Sequence, residues 1–140
     1  MRAAALDFGT VRIGLAVADE LGLLAHPRPH LNGADLEGAF KQLEALVEAE
    51  GIELFVVGLP RSLDGKEGPA AKRARVFAKR LKGRTKARVV LVDEWLSTKE
   101  ATQRLREQGL DSRAQRSRVD SAAAAVLLQS YLDRGQASGP

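Results

Sequence analysis

The stretch RAAALDFGTVRIGLAVA, residues 2–18, decides the fold. It contains two short apolar runs, 2–7 and 12–18, separated by a Gly-Thr pair of the kind that forms tight turns. The pattern predicts an antiparallel hairpin in which Asp7 ends the first strand. An ionised carboxylate there needs hydrogen bonds or a cation to offset its desolvation, although a plain turn aspartate is the alternative.

The rest of the chain alternates helical and strand patterns. A third strand is expected near 22–25, and apolar residues at spacings of three and four predict an amphipathic helix over 35–50. The continuous apolar runs 54–57 and 89–92 are typical of parallel strands that are covered on both faces. We expect Gly58-Leu59-Pro60 to end the first of these runs.

Three further helices are expected. One begins near Pro69, one runs from Ser97 or Thr98 to about Gly109, and the last covers roughly 116–132. The element order predicts an α/β fold: a mixed sheet with antiparallel N-terminal strands, later parallel strands, and helices on both faces. We expect a single domain over 1–140, with residues 134–140 as a frayed tail.

Composition narrows the class of protein. The chain has 44% hydrophobic and 29% charged residues, and no apolar run approaches the roughly 20 residues of a membrane span. The N-terminus turns acidic and glycine-rich before a signal-peptide core has formed. The absence of cysteine excludes disulfides and thiolate chemistry. These features predict a soluble, cytoplasmic protein.

Positive charge is concentrated in one part of the chain. Residues 61–88 carry 11 of the 22 lysines and arginines, against two acids. On the helix that begins near Pro69, the cations share a face opposite the apolar one. Such a face is typical of nucleic-acid binding, although a merely solvated surface is the common alternative.

Two more acids lie where a catalytic site is expected. The carboxyl ends of parallel strands form the working edge of open α/β sheets, and Asp93-Glu94 follows such a strand. Because side chains alternate across a strand, only one of the pair should face the site, and we prefer Glu94. Asp120 heads an apolar stripe of the last helix, although a simple partner of the helix dipole is the alternative.

Asp7, Glu94 and Asp120 would repel one another if they converged, and hard cations such as Mg²⁺ or Mn²⁺ would relieve that repulsion. Ions of this kind activate water and stabilise the departing oxyanion in phosphodiester hydrolysis. The sequence therefore predicts metal-dependent phosphate chemistry.

The loop 58–68 lies between a strand and a helix, where backbone N–H groups can receive a phosphate. The Walker pattern is absent, which argues against a nucleoside triphosphatase. A ligand role for His26 and His30, or base stacking by Trp95, is not favoured. Candidate contacts to substrate phosphates are Arg12, Arg61, Lys66 and Lys72.

Four segments resemble the YqgF family, the Holliday-junction-resolvase-like or pre-16S rRNA nuclease family. They are DFGTVRIGLAVAD at 7–19, GLPRSLDGKEG at 58–68, VDEWLST at 92–98 and RVDSAAAAVLLQSYLD at 118–133. The resemblance covers essentially the whole chain. Val11 replaces a frequent basic residue, and Trp95 replaces the family's usual arginine, which could weaken the hold on a phosphate.

The resemblance implies a ribonuclease H-like fold, with Asp7 and Asp120 in metal-binding positions. It also implies a cytoplasmic nuclease that matures the 5′ end of the 16S rRNA precursor, with structured RNA and ribosomal precursor particles as partners.

Alternative hypotheses remain at this point. One is a resolvase of branched DNA, which would require a homodimer rather than a monomer. Another is a nucleic-acid-binding module without catalysis, with salt-sensitive binding that is indifferent to metal. Actin-like ATPases share D-x-G-T turns, but the chain is too short for their two-lobed cleft.

Overall fold

In the computed structural model, five strands form one mixed sheet in the order β3-β2-β1-β4-β5. The structure describes residues 2–60, 67–94 and 112–138, with side chains in the last segment at 121–134. The strands are β1 (Ala3–Asp7), β2 (Arg12–Ala18), β3 (Ala25–Asn32), β4 (Leu54–Pro60) and β5 (Arg88–Glu94). The helices are α1 (Leu36–Glu50), α2 (Pro69–Arg84) and α3 (Ser112–Ser138).

The sheet topology confirms the predicted fold class. β1 pairs antiparallel with β2, which pairs antiparallel with β3. On its other side, β1 pairs parallel with β4, and β4 pairs parallel with β5. The antiparallel N-terminal strands and the later parallel strands are therefore parts of one sheet.

Helices cover both faces of this sheet. α1 and α2 pack on the face that carries Leu6, Phe55 and Val57. α3 packs on the opposite face, against Ala5 and Val56. Because side chains alternate along a strand, each strand contributes to two apolar layers, as expected for strands covered on both sides.

Local sequence explains where the first helix begins and ends. The Asp35 carboxylate caps α1 by accepting a 3.0 Å hydrogen bond from the Gly38 N–H. Gly51 ends the helix in the left-handed conformation at φ 68°, and its N–H donates to the Val47 carbonyl. In the described residues, no helix is both long and apolar enough to span a bilayer.

Four predicted boundaries were wrong. The third strand is not at 22–25 but at Ala25–Asn32, which includes the prolines of the HPRPH segment. β3 lies at the margin of the described sheet, where a missing N–H is tolerated. β4 continues to Pro60 and β5 to Glu94, since parallel pairing extends that far. α3 is also longer than expected.

The last helix extends into the expected tail. α3 continues to Ser138, so helical structure reaches into the segment 134–140 that we expected to be frayed. The helix predicted from Ser97 or Thr98 to Gly109 lies outside the described residues.

Candidate active site

Three strand positions converge at the carboxyl end of the parallel strands. Asp7 ends β1, Glu94 ends β5, and Gly58 lies in β4 between them. Strand alternation places all three on the face covered by α3, since Ala5, Val56 and Val92 belong to that layer. Two carboxylates from strands that are not neighbours therefore share one side of the sheet.

Gly58 makes the approach of these two acids possible. A Cβ atom added at Gly58 would lie 2.5 Å from Glu94 Oε2 and 3.1 Å from Leu127 Cδ2. The Glu94 carboxyl group thus occupies the space above β4 that a side chain would otherwise fill. From there it reaches Asp7, with which it shares a side-chain hydrogen bond.

The environment of Glu94 strongly favours its protonated form. Burial, followed by the nearby charge of Asp7 and the hydrogen bond to it, raises the pKa of Glu94 from 4.5 to about 9. One proton between two carboxyl groups is the usual solution when like charges are held together away from water. A divalent cation would replace that proton and offset both charges.

The neighbouring Asp93 has a different position. It is exposed, and strand alternation directs it to the sheet face opposite Glu94. Both acids border a cleft of about 580 Å³ between β5 and α3. The contact to Asp7, however, belongs to Glu94.

The third predicted acid, Asp120, is a residue of α3, and its side chain lies outside the described part of the structure. The next residue fixes this part of the helix. Ser121 is fully buried, and its hydroxyl accepts a 3.1 Å hydrogen bond from the Leu15 N–H of β2. Leu15 directly follows Gly14, the residue of β2 that pairs with Asp7. The α3 backbone at Ser121, the residue after Asp120, therefore lies near the strand pair that carries Asp7.

The donor set suits a hard metal ion. Asp7 and Glu94 carry carboxylate oxygens, the donor type that Mg²⁺ and Mn²⁺ prefer. Within residues 2–60, 67–94 and 121–134, no group of three or more candidate ligands occurs. Completion of the site by Asp120 remains a prediction from the sequence.

Two of the predicted phosphate contacts, Arg12 and Lys72, lie on opposite faces of the sheet. Arg12 begins β2, and alternation places it on the same face as Asp7. Lys72 is exposed on α2, which covers the opposite face. Arg61 and Lys66 lie outside the described residues, as does Trp95. His26 and His30 belong to β3, which β2 separates from β1.

Sequence reasoning missed Gly58 and Ser121. Gly58 had a usable signal, because a glycine inside a strand often marks a close approach by another group. Ser121 had none, since its partner is the backbone of a residue 106 positions away.

Family and sequence comparisons agree with the resemblance inferred above. The model of the RuvX family, described as Holliday junction resolvase, matches residues 1–134. A relative from Anaeromyxobacter sp. (strain Fw109-5) carries the provisional name pre-16S rRNA nuclease. It is 45% identical over 133 residues, which are 95% of this chain and 97% of the relative. A relative of the same name from Escherichia coli O139:H28 is 40% identical, over 94% and 95% of the two chains.

Solved structures support the fold. Thermus thermophilus RuvC in complex with a Holliday junction matches with a TM-score of 0.55 and 19% identity, over 100% of this chain and 99% of that chain. Fowlpox virus resolvase with its junction DNA matches with a TM-score of 0.57 and 11% identity, over 96% and 98%. At these identities the likeness concerns the fold, which is ribonuclease H-like.

Proposed function

The chain belongs to the RuvX family of Holliday junction resolvases, and from that membership we propose that it is a metal-dependent endonuclease of pre-16S rRNA. It is a nuclease, a hydrolase of phosphodiester bonds. The observation that carries the metal-dependent part of the proposal is the contact between the Asp7 and Glu94 carboxyl groups over Gly58. Two half-buried carboxyl groups in contact favour the binding of a cation, which would offset the charge of both.

We propose Asp7, Glu94 and Asp120 as the ligands of Mg²⁺ or Mn²⁺. The bound metal would supply positive charge that activates water and stabilises the departing oxygen. Within the chain, the Gly58 gap holds the Glu94 carboxyl group beside Asp7. The Ser121 hydroxyl holds the α3 backbone next to the hairpin. We propose that Arg12, on the same face, pairs with a substrate phosphate.

The RNA substrate is supported by the names of the relatives and by charge. Relatives 40% to 45% identical over nearly the whole chain are named for pre-16S rRNA. Lys72, Arg73, Lys79 and Arg80 are exposed on α2 and suit a polyanion. We propose the 5′ end of the precursor as the region cleaved, ribosomal precursor particles as the setting and the cytoplasm as the location.

Cleavage of a pre-16S rRNA fragment, with Mg²⁺ or Mn²⁺ and with EDTA, tests the proposal. We expect metal-dependent cleavage that falls by at least about 100-fold in Asp7→Asn, Glu94→Gln and Asp120→Asn, since each removes a charged ligand. Asp93→Asn is the matched control for Glu94→Gln and should retain cleavage. Binding that is indifferent to metal, without cleavage by the wild-type protein, would instead identify a non-catalytic binding module.

A second candidate function is resolution of branched DNA, which the description of the matching family favours. It requires two sites that act on one junction, and hence a homodimer. Incubation of the same variants with a four-way DNA junction, together with the molar mass in solution, compares the two substrates. Paired incisions by a dimer would favour the junction over RNA.

A further inference from the structure

A groove lies at the carboxyl edge of the sheet, on the face opposite the Asp7–Glu94 contact. It has a volume of about 360 Å³, a size found among small-ligand sites. Its apolar lining includes Phe8, Leu36 and Val76, from the turn after β1 and from helices α1 and α2. Phe8 directly follows Asp7 in the chain, so the groove and the candidate active site lie at the same edge of the sheet, on opposite faces.

Phe8 is held in a defined orientation. Its ring stacks on that of Phe77 at a centroid distance of 4.8 Å, and Phe77 stacks on Phe40 at 5.4 Å. Phe77 and Phe40 are buried, whereas Phe8 is half-buried and lines the groove. The groove wall is therefore the outer member of a rigid aromatic column.

Val76 breaks the amphipathic pattern of α2. Its side chain is 59% exposed, although the buried face of the helix is formed by other residues such as Ala74 and Phe77. It lies one turn after Lys72 and one turn before Arg80, so the three share a flank of the helix. An exposed valine between two cations is a suitable contact for a ligand with an apolar part and negative charge.

The groove is bordered by positive charge. Lys72, Arg73 and Arg80 all line it, and each is exposed. The ion pairs described for α2 engage other residues: Arg75 pairs with Glu67, and Arg84 pairs with Glu37 and Glu44. Apolar walls with a cationic border match a flat base attached to a phosphate backbone.

We propose that this groove holds an unstacked base of the substrate strand, at the carboxyl edge where the strand would cross the sheet to reach the Asp7–Glu94 contact. The proposal rests on the proposed function, and it makes single-stranded or locally opened nucleic acid the form that is recognised. The base lies against Phe8 and Val76, while the adjoining phosphates pair with Lys72 and Arg73. Recognition of unstacked bases on aromatic and apolar side chains is the common mode for RNA.

The test compares two ligands that differ only in their bases. Fluorescence anisotropy in EDTA measures the Kd of wild-type protein for a short single-stranded RNA and for the same backbone made abasic. We expect Val76→Ser to lower the preference for the base-bearing strand by about fivefold, because the base no longer lies against an apolar side chain. Leu21→Ser, which also replaces an exposed apolar side chain by serine but in the distant β2–β3 turn, should leave that preference unchanged.

The charge of the groove is tested separately. Arg73→Gln should weaken binding of the base-bearing and abasic strands by the same factor, so that the preference is retained. An unchanged preference in Val76→Ser, with folding confirmed by circular dichroism, would overturn the proposal. Since the readout is binding, a loss of preference in Val76→Ser would support the groove even if pre-16S rRNA were not cleaved. Cleavage of pre-16S rRNA by a protein that shows no preference for the base-bearing strand would support the proposed function and overturn the groove proposal.

Discussion

The proton shared by Glu94 and Asp7 is the central feature of the site at the scale of single residues. The carboxyl group of Glu94 has lost water and lies against another acid, and both effects favour its neutral form. Sequence alone placed Glu94 just after a strand, and alternation predicted that only one of Asp93 and Glu94 faces the site. It could not give the pKa, which depends on a contact between residues 87 positions apart in the chain.

We expect the metal-free protein to lose stability as pH rises. The pKa of Glu94 is about 9 in the folded chain, against an ordinary value of 4.5, so the folded state keeps a proton that the unfolded state releases between these values. The stabilisation is complete below pH 4.5 and declines as pH increases towards 9, with a slope of at most about 1.4 kcal/mol per pH unit.

Urea unfolding in EDTA at pH 5, 7 and 9 measures this effect. Glu94→Gln should show a smaller decline than wild type, while Asp93→Asn should follow wild type. Equal slopes for wild type and Glu94→Gln would contradict the assignment. Added Mg²⁺ should restore stability at high pH, because it binds the ionised folded site.

Gly58→Ala should reduce the cleavage rate while leaving the fold intact. The added methyl group collides first with the carboxyl end of the Glu94 side chain, which can move away from Asp7 at little cost to the fold. A displacement of this size in a catalytic group can reduce the rate by about 100-fold. The measurement is cleavage rate beside melting temperature.

Gly83→Ala is the control, because a Cβ at Gly83 would have no atom within 4 Å apart from its chain neighbours and the adjacent backbone of its own helix. It should retain activity. A fully active Gly58→Ala protein would show that the close approach of Glu94 to Gly58 is not needed.

Among the secondary-structure elements, α3 is the helix that packs across both the antiparallel and the parallel strands. Its residues Ala124, Leu127 and Leu128 are buried against the sheet, and Ser121 binds the backbone of β2. The spacing of the apolar residues predicted this helix and its buried stripe. It could not predict that a serine would accept from β2, near the shift in register between Ile13 and Leu15.

Ser121→Ala should destabilise the protein by about 1 to 3 kcal/mol, since the buried Leu15 N–H would lose its acceptor. Urea denaturation gives the change in free energy of unfolding. Ser130→Ala, at an exposed position of the same helix, should change it by less than about 0.5 kcal/mol. Similar changes in the free energy of unfolding for the two variants would mean that another acceptor, such as water, satisfies the Leu15 N–H when the Ser121 hydroxyl is removed.

Strand boundaries were the weakest part of the sequence prediction at this scale. Pairing partners decide where a strand ends, and they are distant in the chain. β4 continues through Gly58 to Pro60 because β5 pairs with it to the end. β3 includes Pro27 and Pro29 because it lies at the margin of the described sheet. Turn-forming residues were therefore taken as ends when tertiary contacts made them part of strands.

Across the whole molecule, the carboxyl edge of the sheet carries different chemistry on its two faces. One face holds the paired acids, and the other holds the cations of α2 and the groove beside Phe8. The basic composition of 61–88 was evident from sequence. The position of α2 and its cations on the face opposite Asp7 was not, because that depends on which side of the sheet α2 crosses.

Binding of single-stranded RNA should depend strongly on salt. The logarithm of the binding constant falls linearly with the logarithm of the salt concentration, and removal of one cation that pairs with a phosphate makes this slope less steep by about 0.7. We expect Arg73→Gln to reduce the slope by about this amount. Arg75→Gln should have a smaller effect, because Arg75 already pairs with Glu67 at 2.6 Å. Titrations at several salt concentrations measure both slopes, and equal changes would contradict the role given to Arg73.

The two prolines of β3 also bear on solubility. A strand at the margin of a sheet offers backbone donors to which another chain can add, and this is a common start of aggregation. Pro27 and Pro29 have no N–H to offer, so part of this margin is a poor template for a foreign strand. The HPRPH segment thus makes this margin of the described sheet less able to accept a strand from another molecule.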